Sequence, residues 1–175
     1  MPVNGRLKGK AFEREVAEEI REIFGYDKNE IFRTPNSGGF ANTQRSDISI
    51  REDILVSEFP VSIECKWYKD WSLAKMVQLT ATEKSWHLQC LASSALTVIQ
   101  FQKRKPDLHL LPILVCKGNN RDPWAFSPQW HGLGAATISN LVAPYLAYLY
   151  EGELWAGAPL DAYLTSLKEV LSASR

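Results

Sequence analysis

The chain has 175 residues, 45% of them hydrophobic and 11% aromatic, and its twenty basic side chains balance twenty acidic ones. That length supports one domain over residues 1–175, because a core of this size buries roughly two-thirds of the unfolded surface. Ten Gly and nine Pro are ordinary, which excludes collagen-like, low-complexity and disordered classes. No apolar run approaches the ~20 residues that span a bilayer, and the Met-Pro-Val-Asn start is no signal peptide. A soluble cytoplasmic protein with no membrane partner is expected.

Cys65, Cys90 and Cys116 are odd in number and far apart, and His87, His109 and His131 are as scattered. Zinc sites want paired close spacings, and secreted disulfide scaffolds want a dense even set. Structural roles for all six weigh against a thiol protease or a zinc enzyme. Zero net charge argues against a passive nucleic-acid coat, but local basic clusters remain. Arg6, Lys8 and Lys10 come first, then Lys103, Arg104 and Lys105, then Lys117 and Arg121.

In chain order, Phe12, Val16, Ile20, Ile23 and Phe24 recur at helical steps and predict an amphipathic helix from about residue 10 to 24, ended by Gly25. Ile31 to Thr34 is a short strand. Pro35 to Arg45 is a polar, glycine-bearing loop. Asp47 to Ile50 and Val61 to Trp67 alternate as strands. Helix is expected from about Thr82 to Gln100, with an earlier piece around Leu73 to Leu79. Leu110 to Cys116 reads as a buried strand, Trp124 to Phe126 as a short one. Leu160, Leu164, Leu167, Val170 and Leu171 make a last helix. Helix, three strands, helix, strand is the order of a mixed α/β domain with one central sheet.

The chemistry starts in Val61 to Trp67. Alternation places Ser62, Glu64 and Lys66 on one face and Val61, Ile63, Cys65 and Trp67 on the other. Glu64 and Lys66 are then ~6.5–7 Å apart along the strand. By itself this is a charge pair on a solvated sheet face. Asp47 opens the preceding strand, however, and two neighbouring strands can bring Asp47 and Glu64 to one cation. Mg²⁺ takes oxygen ligands, commonly one or two carboxylates with waters and substrate phosphate. It lowers the pKa of a bound water, and a nearby lysine stabilises the charged transition state. On the first helix, Glu13 lies ~60° from the centre of the apolar face and Glu15 ~100° away, so Glu13 is the acid that reaches inward.

Lys8-Gly9-x-x-x-Glu13-Arg14-Glu15, Arg33, Ser37, Ser46-Asp47 and Ile63-Glu64-Cys65-Lys66 together resemble the PD-(D/E)XK nuclease superfamily. The opening is most similar to archaeal-type Holliday junction resolvases and their viral relatives, and the match covers roughly residues 8 to 117. The resemblance implies a restriction-endonuclease-like core (αβββαβ) over about 8–127, with a C-terminal extension over about 128–175. It implies that Asp47 and Glu64 bind the metal with the main-chain carbonyl of Cys65, that Glu13 helps hold or position it, and that Lys66 is the catalytic lysine. Arg33 and Ser37 match positions contacting substrate near the scissile phosphate. Gln89 matches a helix glutamine that some superfamily members place in the site, or is an ordinary polar helix residue. Lys117, with Lys8 and Lys10 of the basic arm, would contact DNA phosphates, which set affinity and orientation.

The expected activity is therefore that of a Mg²⁺-dependent, structure-selective DNA endonuclease, with Mn²⁺ able to replace Mg²⁺. A Holliday junction resolvase cutting four-way junctions as a C₂ homodimer fits best, in the cytoplasm of a prokaryote or as a viral protein acting there. A restriction, repair or single-strand-specific nuclease of the same fold, and a non-catalytic DNA-binding module, remain open. No G-x-x-x-x-G-K-[ST] loop is present, so no nucleotide cofactor is expected, and no G-x-S-x-G or H-E-x-x-H motif occurs. The aromatic tail (Trp124, Trp130 and Trp155 with Tyr145, Tyr148 and Tyr150) reads first as core or dimer packing, and second as stacking on unpaired bases.

Overall fold

Residues 5–35, 46–128 and 146–173 are described by the computed structural model. Its organising strand is β3 (Val61–Trp67), buried on both faces from Val61 to Cys65; β1 (Ile31–Arg33), β2 (Ile48–Ile50) and the first helix, α1 (Gly5–Phe24), precede it. β3 runs parallel to β4 (Leu111–Lys117), with Glu64 opposite Leu114 and Lys66 opposite Cys116. Parallel neighbours need a long crossover, here made by α3 (Leu73–Gln78) and α4 (Ala81–Phe101). The sheet continues antiparallel through β5 (Trp124–Pro128), β7 (Glu153–Pro159) and β6 (Leu146–Tyr150), giving the order β3-β4-β5-β7-β6.

Alternation along β3 and β4 sorts the core into two layers. Val61, Ile63 and Cys65 join Ile113 and Val115 under α1 (Phe12, Val16, Ile20) and the last helix, α5 (Leu160–Ala173). Leu114, Cys116 and Phe126 face the other way, toward Trp86 and Cys90 of α4 and Tyr148, Tyr150 and Trp155. Burial of these large side chains is what holds the layers together, at about 1.5–3 kcal/mol for each fully buried one.

Most predicted elements stand where expected, including β3 residue for residue. α1 begins at Gly5, five residues earlier than its apolar periodicity, and so carries the basic arm within the helix. The short helix α2 (Glu52–Ser57) was not anticipated, since six residues are too few to show a period. The face bearing Ser62, Glu64 and Lys66 is not a solvated surface. α4 covers it, leaving Ser62 and Glu64 only 2% and 8% exposed. The tail supplies β6 and β7, two strands of the central sheet. Its Tyr148, Tyr150 and Trp155 are core side chains; Trp130, Tyr145 and His131 lie outside the described residues.

His87 is fully buried on α4. Its Nδ1–H donates to the Glu83 carbonyl at 2.7 Å, so Nε2 accepts from the Tyr148 hydroxyl at 2.8 Å. Burial lowers its pKa and keeps it neutral, which is a packing role. All three cysteines are free and buried, and burial holds their thiols far above the usual range. No described helix is long and apolar enough to cross a membrane.

Gly157 on β7 sits opposite Phe126. A Cβ there would lie 2.2 Å from the Phe126 ring and 3.1 Å from the Ala125 carbonyl. Phe126 is fully buried and cannot swing out. Gly157→Ala is therefore expected to destabilise the fold by about 1–3 kcal/mol through overpacking, measured by urea unfolding.

Candidate active site

The free edge of β3 is where the candidate residues meet. β1 and β2 form a separate antiparallel pair, with Arg33 opposite Ile48, and the residues just before β2 fasten that pair to β3. Ser46 Oγ accepts the Ile63 N–H at 2.8 Å and donates to the Ile63 carbonyl at 2.7 Å. The Asp47 N–H reaches the same carbonyl at 2.9 Å. Asp47 Oδ2 then accepts the Cys65 N–H at 2.8 Å. Thr34 Oγ1 donates to the Ser46 carbonyl at 2.7 Å, and the Thr34 N–H donates to the Asp47 carbonyl at 2.8 Å. One serine hydroxyl thus acts as a ladder partner, and the aspartate beside it is held against the strand that carries Glu64.

Within a strand the N–H and C=O of one residue point to the same edge. The Cys65 carbonyl therefore faces the edge where its N–H meets Asp47. Glu64 sits one residue away and is nearly buried. Its Oε1 accepts from Lys66 Nζ at 2.5 Å, with side-chain exposures of 11% and 20%. From the helix side, Glu13 Oε2 takes the Arg33 Nε–H at 2.5 Å. Glu15 is exposed and pairs with Lys117. Glu13 thus turns toward Arg33 of β1, and its neighbour two residues on does not.

Burial raises the Glu64 pKa to about 7, and the charges of Asp47 and Glu13 add to the rise against the pull of Lys66. Burial, then Asp47, also lifts Glu13 above the ordinary carboxylate range despite Arg33. Burial works the other way on Lys66, but Glu64 and Asp47 outweigh it and raise its pKa, so the amine stays an ammonium. Three carboxylates are therefore within Coulombic reach of one another in a poorly hydrated edge. Such a cluster favours a bound cation or proton.

Among the described residues no three His, Cys, Asp or Glu side chains are gathered as a metal-holding group. Asp47 and Glu64 are two oxygen donors whose charges act on each other, and Glu13 is engaged by Arg33. That set fits a hard cation, which completes its shell with carbonyl and water oxygens. It does not fit zinc held by nitrogen and sulfur.

The other expected contacts are spread around this edge. Lys8 Nζ lies 4.5 Å over the Trp67 ring, and Lys117 Nζ lies 5.7 Å over Phe12. Lys10 is close enough to Glu13 to lower its pKa. Gln89 is exposed on α4, its amide donating to Ser85 Oγ at 3.1 Å. Ser37 lies outside the described residues. The clasp of Ser46 and Thr34 was given no role by sequence reasoning. A serine directly before the metal-type aspartate was the available signal, but its two bonds to Ile63 appear only in three dimensions.

The family model described as "Phage putative PDDEXK endonuclease" matches residues 4–131. The chain belongs to that family. It is accordingly a PD-(D/E)XK-type endonuclease, and such nucleases generally use divalent metal ions. Neither the curated proteins nor the solved structures gave a match.

Two outcomes follow for this endonuclease from the clasp and the charge cluster. Ser46→Ala leaves the buried Ile63 N–H without its partner and is expected to cost about 1–3 kcal/mol in urea unfolding, while Ser46→Thr keeps the hydroxyl and most of that stability. Glu64 and Glu19 are both pushed up to about 7, the latter by burial, then Asp161 and Glu15. Raised carboxylates keep protons in the folded chain that the unfolded chain has released. The stability so gained is present on the acid side and is lost as pH rises from about 4.5 to about 7. In chelator, Glu64→Gln is expected to melt above wild type at pH ~8 and to lose that advantage at pH ~5, checked by thermal unfolding at both.

Proposed function

We propose that this endonuclease is Mg²⁺-dependent and structure-selective, making paired symmetric cuts in four-way DNA junctions as a homodimer. The observation that carries the hydrolytic reading is the bond from the Cys65 N–H to Asp47 Oδ2, which ties one acid to the strand bearing Glu64 and Lys66. In this reading Asp47, Glu64 and the Cys65 carbonyl hold the cation, with Glu13 as a supporting acid and Mn²⁺ able to replace Mg²⁺. A divalent ion supplies a water of lowered pKa and neutralises charge developing on phosphorus.

The chain's own groups do the rest. The Lys66 ammonium, held by Glu64 and kept protonated by the acids around it, stabilises charge developing on the scissile phosphate. Arg33 orients Glu13 and offers its remaining guanidinium N–H groups to a phosphate oxygen. Lys8 and Lys10 sit in the first turns of α1 and supply sequence-independent phosphate contacts. Ser37, Gln89 and Lys117 are the further DNA contacts of this reading.

The substrate rests on the likeness of the Lys8-Gly9…Glu13-Arg14-Glu15 opening to junction resolvases. A four-way junction is nearly two-fold symmetric and needs two matched cuts, which a C₂ dimer with two sites presents. Membership of a phage family supports the reading that such cuts are made in the cytoplasm of a prokaryotic host.

Incubation with Mg²⁺ and three DNAs (four-way junction, linear duplex, single strand) tests the reading. Paired symmetric nicks confined to the junction are expected, with Glu64→Ala and Lys66→Ala abolishing cleavage while junction binding stays near wild type. Equal cutting of linear duplex would make it a nuclease of another specificity, and near-normal cutting by either variant would remove these residues from the reaction.

A further inference from the structure

The strand that carries Glu64 and Lys66 does not stop contributing at Trp67. The Tyr68 N–H donates to the Lys117 carbonyl at 3.0 Å, so the parallel ladder runs one residue past β3. Alternation therefore places Tyr68 on the face of Glu64 and Lys66, ~6.5–7 Å beyond the lysine. Ring packing agrees with that placement. The Tyr68 centroid lies 6.1 Å from that of Trp86 at 66°, an edge contact with the helix that covers this face. Trp86 is itself buried, and the Trp71 N–H donates to the Tyr68 carbonyl at 3.1 Å. Backbone and ring are thus held from several sides, yet the residue is 47% exposed.

Among the described residues only Tyr68 and Phe32 (38%) are exposed aromatics, and Tyr68 is the more exposed of the two. The tail aromatics Tyr148, Tyr150 and Trp155 are all buried. Tyr68 is flanked by Lys66 on its own face and by exposed Lys69 next in the chain. Lys66 Nζ is held by Glu64, and an exposed aromatic plane with lysines close by in the chain suits a nucleotide, with the base on the ring and its phosphates near the amines.

We propose that Tyr68 is a stacking platform for an unpaired nucleobase beside the scissile phosphate. The proposal rests on the nuclease reading and adds a physical source for structure selectivity. In a continuous duplex each base is covered by its neighbours and offers no free face. Only a branch point, a single strand or an extruded nucleotide does, and extruding a paired base costs a few kcal/mol. Stacking is indifferent to which base is present. The ring therefore selects DNA by exposure of bases and not by sequence.

The test compares wild type with Tyr68→Ala, Tyr68→Leu and Tyr68→Trp, each also in a Glu64→Ala background for binding by anisotropy. The DNAs share one sequence: a linear duplex, a four-way junction and a strand with unpaired nucleotides, the last also carrying 2-aminopurine next to the cut. Tyr68→Ala and Tyr68→Leu are expected to bind the unpaired DNA about 5- to 150-fold more weakly, the span of one lost base–aromatic stack, with Tyr68→Trp within about twofold of wild type. Duplex binding is expected to be unchanged, and 2-aminopurine to be quenched only by wild type and Tyr68→Trp.

Equal binding by all variants, full retention by Tyr68→Leu, or a loss of the same size on every DNA would overturn the stacking role. If wild type cuts DNA while any of these holds, this proposal alone falls. Wild-type protein that neither binds nor cuts any of the DNAs would overturn the nuclease reading with it.

Discussion

A single serine hydroxyl between two segments of main chain sets the geometry of the candidate edge. β3 is the outermost strand of the central sheet, and an outer strand exposes unpaired N–H and C=O groups. Ser46 satisfies both groups of Ile63, and Asp47 takes the next N–H, from Cys65. The edge that a sheet must cover is covered here by the residues that create the site. Because β3 alternates, the same register that buries Ile63 and Cys65 under α1 turns Glu64 and Lys66 toward α4. The side of the edge on which each acid appears is thus decided by packing, before any chemistry is considered.

Energetically the arrangement works against itself. Glu13, Asp47 and Glu64 repel one another where water is scarce, and Arg33 and Lys66 compensate only in part. Apolar packing of two full core layers carries the cost. This is a common division in enzymes: the layers of Ile, Leu, Phe and Trp stabilise, and the charged edge costs stability. Lys66 benefits from the same field, since the acids that destabilise one another keep its amine protonated.

Much of this was legible in the sequence because it is local. Period-two alternation defined β3, period-3.6 spacing defined α1, and the order of Glu13, Asp47, Glu64 and Lys66 along the chain suggested their convergence. What was not legible depends on partners distant in sequence. Glu64 lies under α4, whose helical period says nothing about which strand face it will cover. β6 and β7 join the sheet through pairings such as Phe126 with Gly157, and Leu-Ala-Tyr-Leu-Tyr alone does not announce them. Tyr68 was invisible as a functional position for a similar reason. Whether an aromatic residue is a core side chain or an exposed plane is fixed by what packs over it.

The two end helices also bear on how the molecule comes into being. α5 packs its Leu160, Tyr163, Leu164 and Leu167 into the same layer as Phe12, Val16 and Ile20 of α1, and Lys168 Nζ donates to the Ile23 carbonyl at 2.6 Å. That layer underlies β3, so it cannot close until residues 160–173 have left the ribosome. Nascent chains that stop short carry Asp47, Glu64 and Lys66 but lack the helix that seals the layer beneath them. Closure of this layer therefore depends on contacts between segments far apart in the chain, and the ordering of the candidate site above it is coupled to the docking of α5.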